Sequence, residues 1–292
     1  MSETTPITVP GGRYVPVGDT RLHIVERGDG YPLIVLHGGP GLDHTMFADY
    51  LDPLAGDHRL ILVDQRNQGR SDRSDPSTWT LAQMARDVVD LAQSLDLDKY
   101  AVLGHSYGAL VTLQNAVDFP GAAAQSIVSS GFPSARYLEW VGENLEKFEP
   151  VALRQQVADS WERETTVETD EQVTELLNDQ LPFHFAAPLD PRIAEYAAKT
   201  AGAVNSAEVL RHFATQEYGG IEVEGRLGRV SQPTLVLAGR HDRVCSVPAA
   251  EAIAAGIPNS VLVVFENSGH MTFVEENASY VAVVGQFLKA AM

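Results

Sequence analysis

A serine between two glycines is the residue of this sequence best suited to covalent chemistry. Gly104-His105-Ser106-Tyr107-Gly108 matches the pattern G-x-S-x-G and lies directly between a predicted strand and a predicted helix. The chain must turn sharply there, and glycine at both ends of the pattern permits the turn and leaves the serine Oγ exposed. The helix N-terminus behind the serine favours developing negative charge. We therefore predict that Ser106 attacks a carbonyl group, the alternative being an ordinary strand-to-helix turn.

Among nine histidines, His270 is the one best placed to activate this serine. A serine hydroxyl is a poor nucleophile without a base. His270 follows the predicted strand 261–265 and Asp242 follows the predicted strand 234–238, so both belong to the sheet edge at which Ser106 lies. The chain order serine, acid, histidine is that of G-x-S-x-G hydrolases. We expect His270 to be the general base and Asp242 to orient it, although a loop aspartate is by itself more often a turn former.

A glycine-rich loop, HGGPG at 37–41, follows the apolar run 33–36. Such a loop lets the backbone approach a ligand closely, and we expect Gly38 to contact the substrate. The hydrolase mechanism needs two backbone N–H donors aimed at the oxyanion of the tetrahedral intermediate. We assign these donors to Gly39 and Tyr107. A plain turn at the end of a strand is the alternative interpretation of the loop.

Alternating strands and helices must hold these residues in place, so the fold class is predicted to be α/β. Strands followed by helices indicate parallel βαβ units and a sheet covered on both faces. The region 134–229 instead has few β-branched apolar runs and many helix formers and charges, which predicts a helical cap inserted into a core of residues 1–133 and 230–292. The predicted strands are 22–26, 33–36, 60–63, 101–103, 126–129, 234–238 and 261–265; the predicted core helices are 81–95, 109–117, 249–255 and one from about 278.

The composition of the chain limits the binding partners and cofactors that this protein can have. The chain has 292 residues and a net charge of −18, and such an acidic surface repels nucleic acid and anionic membranes. A single cysteine, Cys245, excludes an intrachain disulfide, and neither a signal peptide nor a membrane span is visible, so we expect a cytoplasmic protein. Histidine spacing typical of metal sites and a phosphate-binding loop are both missing from the sequence, so we predict no metal and no cofactor. The sequence does not predict an oligomeric state.

Three motifs together resemble the proline iminopeptidase family of α/β-hydrolases. They are HGGPG at 37–41, DQR with a following G-x-S at 64–71, and GHSYG at 104–108. The resemblance covers roughly residues 10–133 and 230–292. It implies an α/β-hydrolase fold, with a mostly parallel central sheet flanked by helices and an inserted helical cap. It also implies an aminopeptidase or amidase that acts through an acyl-enzyme on small molecules or short peptides with a free N-terminal amine.

Members of that family hold the substrate amine with glutamates from the cap and beside the catalytic acid. The resemblance places Glu217 at one of these positions. At the other, directly after Asp242, this chain has Arg243, which would repel an ammonium and either pair with a cap carboxylate or favour a substrate carrying a carboxylate. The chain also departs from the family at Asn67, where glycine is usual. Other cap acids that could hold the amine are Glu139, Glu143 and Glu146.

Other functions remain open at this point. An esterase or lactonase acting on a small uncharged acyl substrate is the principal alternative, and Arg243 is the residue that favours it. A hydrolase of carbon–carbon bonds would use the same three catalytic residues. A binding protein that keeps the fold without activity is a further alternative, which an intact set of catalytic residues disfavours.

Overall fold

The structure, a computed structural model, describes residues 11–290, and of Glu217 only the backbone. The ends of the predicted core, residues 1–10 and 291–292, lie outside the described residues. Within the described part of the chain, eight strands form one sheet. They are β1 (Arg13–Val17), β2 (Thr20–Arg27), β3 (Tyr31–Leu36), β4 (His58–Val63), β5 (Ala101–His105), β6 (Gln125–Ser129), β7 (Thr234–Gly239) and β8 (Ser260–Phe265).

Eleven helices accompany the sheet in residues 11–290, besides short 3₁₀ turns. They are α1 (Leu81–Ser94), α2 (Tyr107–Asp118), α3 (Glu139–Glu146), α4 (Val151–Arg163), α5 (Asp170–His184), α6 (Arg192–Lys199), α7 (Ala207–Ala214), α8 (Glu217–Gly220), α9 (Val247–Gly256), α10 (Thr272–Glu275) and α11 (Asn277–Lys289). The strands and helices predicted for the core are confirmed, with ends within two residues of those predicted.

The strand order is β1-β2-β4-β3-β5-β6-β7-β8. β1 and β2 pair antiparallel, as do β2 and β4, and every pair from β4 through β3 to β8 is parallel. The mostly parallel sheet of an α/β-hydrolase fold is therefore confirmed. Because the carboxyl ends of parallel strands share one edge, the loops after β3, β5, β7 and β8 meet there. These loops carry the glycine-rich segment, the serine, the aspartate and the histidine.

Apolar residues bury both faces of the sheet. Along β3, Leu33 and Val35 pack into one hydrophobic cluster, while Ile34 and Leu36 pack into a second cluster on the opposite face. Alternation of this kind follows from the period of two along a strand, and it explains why the central strands are apolar throughout. The two-sided core holds the strand ends, and thus the four loops, in fixed relative positions.

The chain between β6 and β7 is helical, and we call residues 134–229 the helical insertion. It contains α3 to α8. α5 begins with a capping box, in which the Thr169 side chain accepts from Gln172 N while the Gln172 side chain binds the Thr169 backbone N–H. In residues 11–290, no helix has the length and apolar character that a membrane crossing requires.

Candidate active site

Ser106 forms the turn between β5 and α2. Its φ of 55° and ψ of −119° belong to a region that residues other than glycine rarely adopt, and strain of this kind is concentrated at functional sites. A Cβ at Gly104 would overlap the carbonyl oxygen of Gly108, and a Cβ at Gly108 would overlap that of Leu36. Close backbone packing around the serine therefore requires both glycines of the motif.

The structure brings the predicted acid and base into contact. Asp242 Oδ2 lies 2.9 Å from His270 Nδ1, and both side chains are buried. Asp242 Oδ1 accepts hydrogen bonds from the backbone N–H groups of Val244 and Cys245, each at 2.8 Å. The carboxylate is thus fixed by its own loop and presents its second oxygen to the imidazole, which is the arrangement that sets a histidine tautomer.

Ser106 and His270 line the same cavity, which has a volume of about 160 Å³. Among the hydrogen bonds of residues 11–290, none joins the two side chains. Catalytic hydrogen bonds are often long before substrate binds and shorten in the complex. The missing hydrogen bond is therefore compatible with proton transfer from Ser106 to His270 once a substrate is bound. The cavity lies between the sheet edge and the helical insertion, because its wall combines residues of both. Its apolar wall includes Leu110, Phe132, Leu138, Leu181, Leu210 and Val244.

Two further histidines flank His270. The ring of His105 lies 4.9 Å from the His270 ring, and that of His184, at the end of α5, lies 5.1 Å from it. Burial lowers the pKa of both flanking imidazoles well below the usual value, and the His270 charge lowers each further. Both are therefore neutral at physiological pH and do not add cationic charge beside the base. Sequence reasoning placed His105 at the site and missed His184, which lies 86 positions before His270 and carries no motif.

The two residues expected to form the oxyanion site, Gly39 and Tyr107, both line the cavity. Gly39 has a φ of 112°, a left-handed conformation that favours glycine. Within the described residues, neither backbone N–H donates a hydrogen bond to the protein, so both are free for a ligand. Gly38, which precedes Gly39 in the loop, does not face the cavity. Its N–H donates to Met46 Sδ at 3.1 Å, and it packs on Ser106 without lining the cavity.

A buried carboxylate, Glu164, also lines the cavity. It accepts hydrogen bonds from Gln180 Nε2 at 2.6 Å and from the Tyr218 hydroxyl. Desolvation raises the pKa of Glu164 to about 7, and the two neutral donors offset only part of this effect. In the described residues no Lys or Arg side chain is paired with it. Sequence reasoning missed Glu164, because it follows the charged stretch of α4, where acids are expected to face solvent.

The other acids and the arginine considered for substrate binding are taken in turn. The side chain of Glu217 lies outside the described residues. Arg243 does not line the cavity; its guanidinium instead donates to backbone carbonyl groups at the end of α5. Within the described residues it forms no ion pair with a cap carboxylate, and its role in substrate binding stays a prediction. The remaining acids that were considered are exposed: Glu139, Glu143 and Glu146.

The loop at 64–71 is fixed to helix α1 and to the helical insertion by two of its side chains. Arg66 is fully buried and donates two hydrogen bonds of 2.7 Å to the carboxylate of Asp87 on α1. Asn67 has a φ of 61°, a left-handed conformation that glycine adopts most readily. This explains why the proline iminopeptidase family, which the sequence resembles, usually has glycine at this position. Its amide donates to Glu208 Oε1 at 3.2 Å and so binds the helical insertion.

Two groups of side chains in residues 11–290 bring three metal-ligating atoms within 4.8 Å of one another. In the first, Asp64 accepts from the rings of His23 and His44 and from two backbone N–H groups, so hydrogen bonds saturate its oxygens. The second consists of Asp242, Cys245 and His270. Burial raises the pKa of the Cys245 thiol well above its usual value, so a thiolate ligand is disfavoured.

Comparison with known proteins identifies the family of the fold. Residues 31–277 match the family model of the alpha/beta hydrolase fold. A proline iminopeptidase of Heyndrickxia coagulans is 30% identical over 273 residues, covering 91% of this chain and 93% of that protein.

Solved structures show the same architecture. The crystal structure of a Mycobacterium smegmatis proline iminopeptidase superposes with a TM-score of 0.74 at 25% identity, covering 96% of this chain and 98% of that one. An esterase of Exiguobacterium antarcticum superposes with a TM-score of 0.75 at 22% identity, covering 95% and 99%. The second likeness concerns the fold alone.

Proposed function

This chain belongs to the α/β-hydrolase family, and from that membership we propose that it is a serine hydrolase that releases the N-terminal residue of small peptides or amides through an acyl-enzyme. In this mechanism His270 takes the proton of Ser106 as Oγ attacks the carbonyl carbon. The N–H groups of Gly39 and Tyr107 stabilise the oxyanion. His270 then protonates the leaving amine, and water hydrolyses the acyl-enzyme. Asp242 holds the imidazole in the required tautomer.

The observation that supports a free-amine substrate is the position of Glu164. One cavity contains the nucleophile, the base and this buried carboxylate, whose partners, Gln180 and Tyr218, are neutral. A buried charge is stable only when it is paired, so Glu164 lacks a cation that a substrate ammonium supplies. An α-amino group has a pKa of about 7.7–8.0, so carboxylate and ammonium are both charged near pH 7–8. We thus assign to Glu164 the amine-binding role first expected of Glu217.

An esterase or lactonase acting on a small uncharged acyl substrate is the second candidate. The mostly apolar cavity wall favours it, because such a wall buries an alkyl group without leaving polar atoms unpaired. The two candidates share the acyl-enzyme chemistry and differ in whether an amine must be present.

The test compares kcat/KM for prolyl-p-nitroanilide, alanyl-p-nitroanilide, N-acetyl-prolyl-p-nitroanilide and p-nitrophenyl butyrate, with Ser106→Ala as the blank. We expect the free-amine substrates to be preferred and acetylation to lower kcat/KM by about a hundred-fold or more, because it leaves Glu164 unpaired. Turnover of the butyrate ester alone would support the esterase instead. A fluorophosphonate probe should label Ser106 in folded protein, and absence of labelling would exclude a serine hydrolase.

A further inference from the structure

The end of α5 runs directly against the loops that carry the acid and the base. We call residues 183–186 the α5 exit; they belong to the helical insertion, and three ties join them to the catalytic loops. The first tie is made by the base itself, because the backbone N–H of His270 donates to the carbonyl oxygen of His184 at 2.6 Å. The insertion therefore contributes directly to the backbone position of His270.

Arg243 makes the second tie. Its Nη1 donates to the carbonyl oxygens of Phe183 and Phe185 at 3.1 and 2.6 Å, and its Nη2 donates to that of Ala186 at 3.0 Å. Arg243 directly follows Asp242, so one guanidinium joins the acid loop to three carbonyl groups around His184. A planar guanidinium presents several donors in fixed directions, which a lysine ammonium does not.

Glu275 makes the third tie. Its Oε1 accepts from the Ala186 N–H and its Oε2 from the Gly269 N–H, each at 2.8 Å. The carboxylate is buried and bridges the α5 exit to the residue that precedes His270. The backbones also touch, because a Cβ at Gly269 would lie 2.5 Å from the His184 oxygen and 2.7 Å from the Ala186 nitrogen. Only glycine permits this approach.

We propose that the α5 exit positions His270 for catalysis, with Arg243 and Glu275 as positioning residues that act through it. The inference rests on the proposed function only in that His270 is the general base. The helical insertion is then more than a cover over the cavity, because one of its helix ends fixes the backbone of the base. A displacement of about 1 Å at a catalytic group can reduce turnover by about a hundred-fold, so loosening these ties should lower kcat.

The experiment uses Glu275→Gln and Arg243→Lys in the full-length protein. Glu275→Gln keeps the size of the side chain but places its NH₂ group opposite the backbone N–H of Ala186 or Gly269, so one hydrogen bond is lost. Arg243→Lys keeps the positive charge but loses the planar guanidinium that binds several carbonyl groups at once. Glu266→Gln is the matched control, since Glu266 precedes the same loop and its carboxylate pairs with the exposed Arg240 at the surface, away from the α5 exit. Active sites are titrated with a fluorophosphonate, and kcat and KM are measured for prolyl-p-nitroanilide.

We expect kcat per titrated site to fall by about ten-fold or more in both variants with KM within two-fold, and the control to match the wild type. A role in folding alone would lower the number of titrated sites or the melting temperature and leave kcat per site unchanged, and that result overturns the inference. If Glu275→Gln does not fold, Arg243→Lys is judged by the same criterion. A wild-type protein that is not labelled refutes the proposed function instead.

Discussion

Replacing Glu164 by glutamine should make the protein more stable and at the same time less active on free-amine substrates. Glutamine has the same shape, so its oxygen can accept from Gln180 and its amide group can meet the Tyr218 hydroxyl, which also accepts. The substitution removes the cost of ionising a buried carboxyl without a cation. It also removes the charge that we assign to amine binding.

The magnitude follows from the pKa of Glu164, which burial raises from 4.5 to about 7. A carboxyl with a raised folded-state pKa stays protonated in the folded protein while the unfolded chain ionises, so stability is lost as pH rises from about 4.5 to about 7. At about 1.4 kcal/mol per pH unit, the full difference is about 3 kcal/mol. We expect Glu164→Gln to be more stable than wild type by about 3 kcal/mol at pH 8 and by less than about 1 kcal/mol at pH 4.5.

Urea unfolding at the two pH values measures this difference, with the free energy of unfolding obtained by linear extrapolation. Glu162→Gln is the matched control, because Glu162 is two residues away, in the last turn of α4, and is exposed. We expect no pH-dependent gain in the control. In parallel, kcat/KM for prolyl-p-nitroanilide should fall by about a hundred-fold in Glu164→Gln, while that for p-nitrophenyl butyrate should stay within about three-fold.

Two results would refute this reasoning. An equal stability difference at pH 4.5 and pH 8 would show that Glu164 is ionised in the folded protein at both values, and thus that another cation neutralises it. A parallel loss of activity on the ester and the free-amine substrate would show that Glu164 supports the cavity and does not bind the amine.

Three further predictions concern the catalytic acid, the buried ion pair and pH. Asp242→Ala should lower kcat per titrated site on the order of ten-thousand-fold, and a loss of only a few-fold would mean that another acid orients the base. Arg66→Met should lower the free energy of unfolding by about 3–5 kcal/mol, because the buried Asp87 carboxylate keeps its hydrogen bond from Gln83 but loses its cation. Urea unfolding measures this, and Arg240→Met, which breaks an exposed pair, should leave the midpoint unchanged. The ratio of kcat/KM for prolyl-p-nitroanilide to that for p-nitrophenyl butyrate should decrease as pH falls below about 7, where Glu164 becomes protonated. A ratio that is independent of pH would contradict this last prediction.

Local patterns were sufficient to predict the core and the neighbourhood of the catalytic residues. The apolar runs 33–36 and 60–63 correspond to β3 and β4, because a strand buried on both faces needs no polar alternation. Placing each after a parallel strand predicted that Asp242 and His270 belong to one sheet edge, and the structure adds the contact between their side chains. β1 was not predicted, since its Pro16 and two exposed residues hide the signal in a short edge strand.

Long-range contacts explain what the sequence could not reveal. Glu162 and Glu164 differ by two positions on a charged stretch, yet one is exposed and the other buried, because the packing of α4 against α5 decides their surroundings. Arg243 looks like a substrate-facing cation when only its neighbour Asp242 is considered. Its partners, the carbonyl groups of residues 183, 185 and 186, lie about 60 positions away and carry no side-chain signature.

The contact between Gly269 and the α5 exit limits how this chain can be recombined with its relatives. A chimera that exchanges residues 134–229 as one block would place a foreign backbone against Gly269, Glu275 and Arg243. These three residues fit the native backbone of residues 183–186. Crossover points should therefore fall inside the insertion, so that residues 183–186 stay with the parent that supplies the histidine loop. Swaps made on this plan should retain turnover, whereas whole-block swaps should fold and lose it.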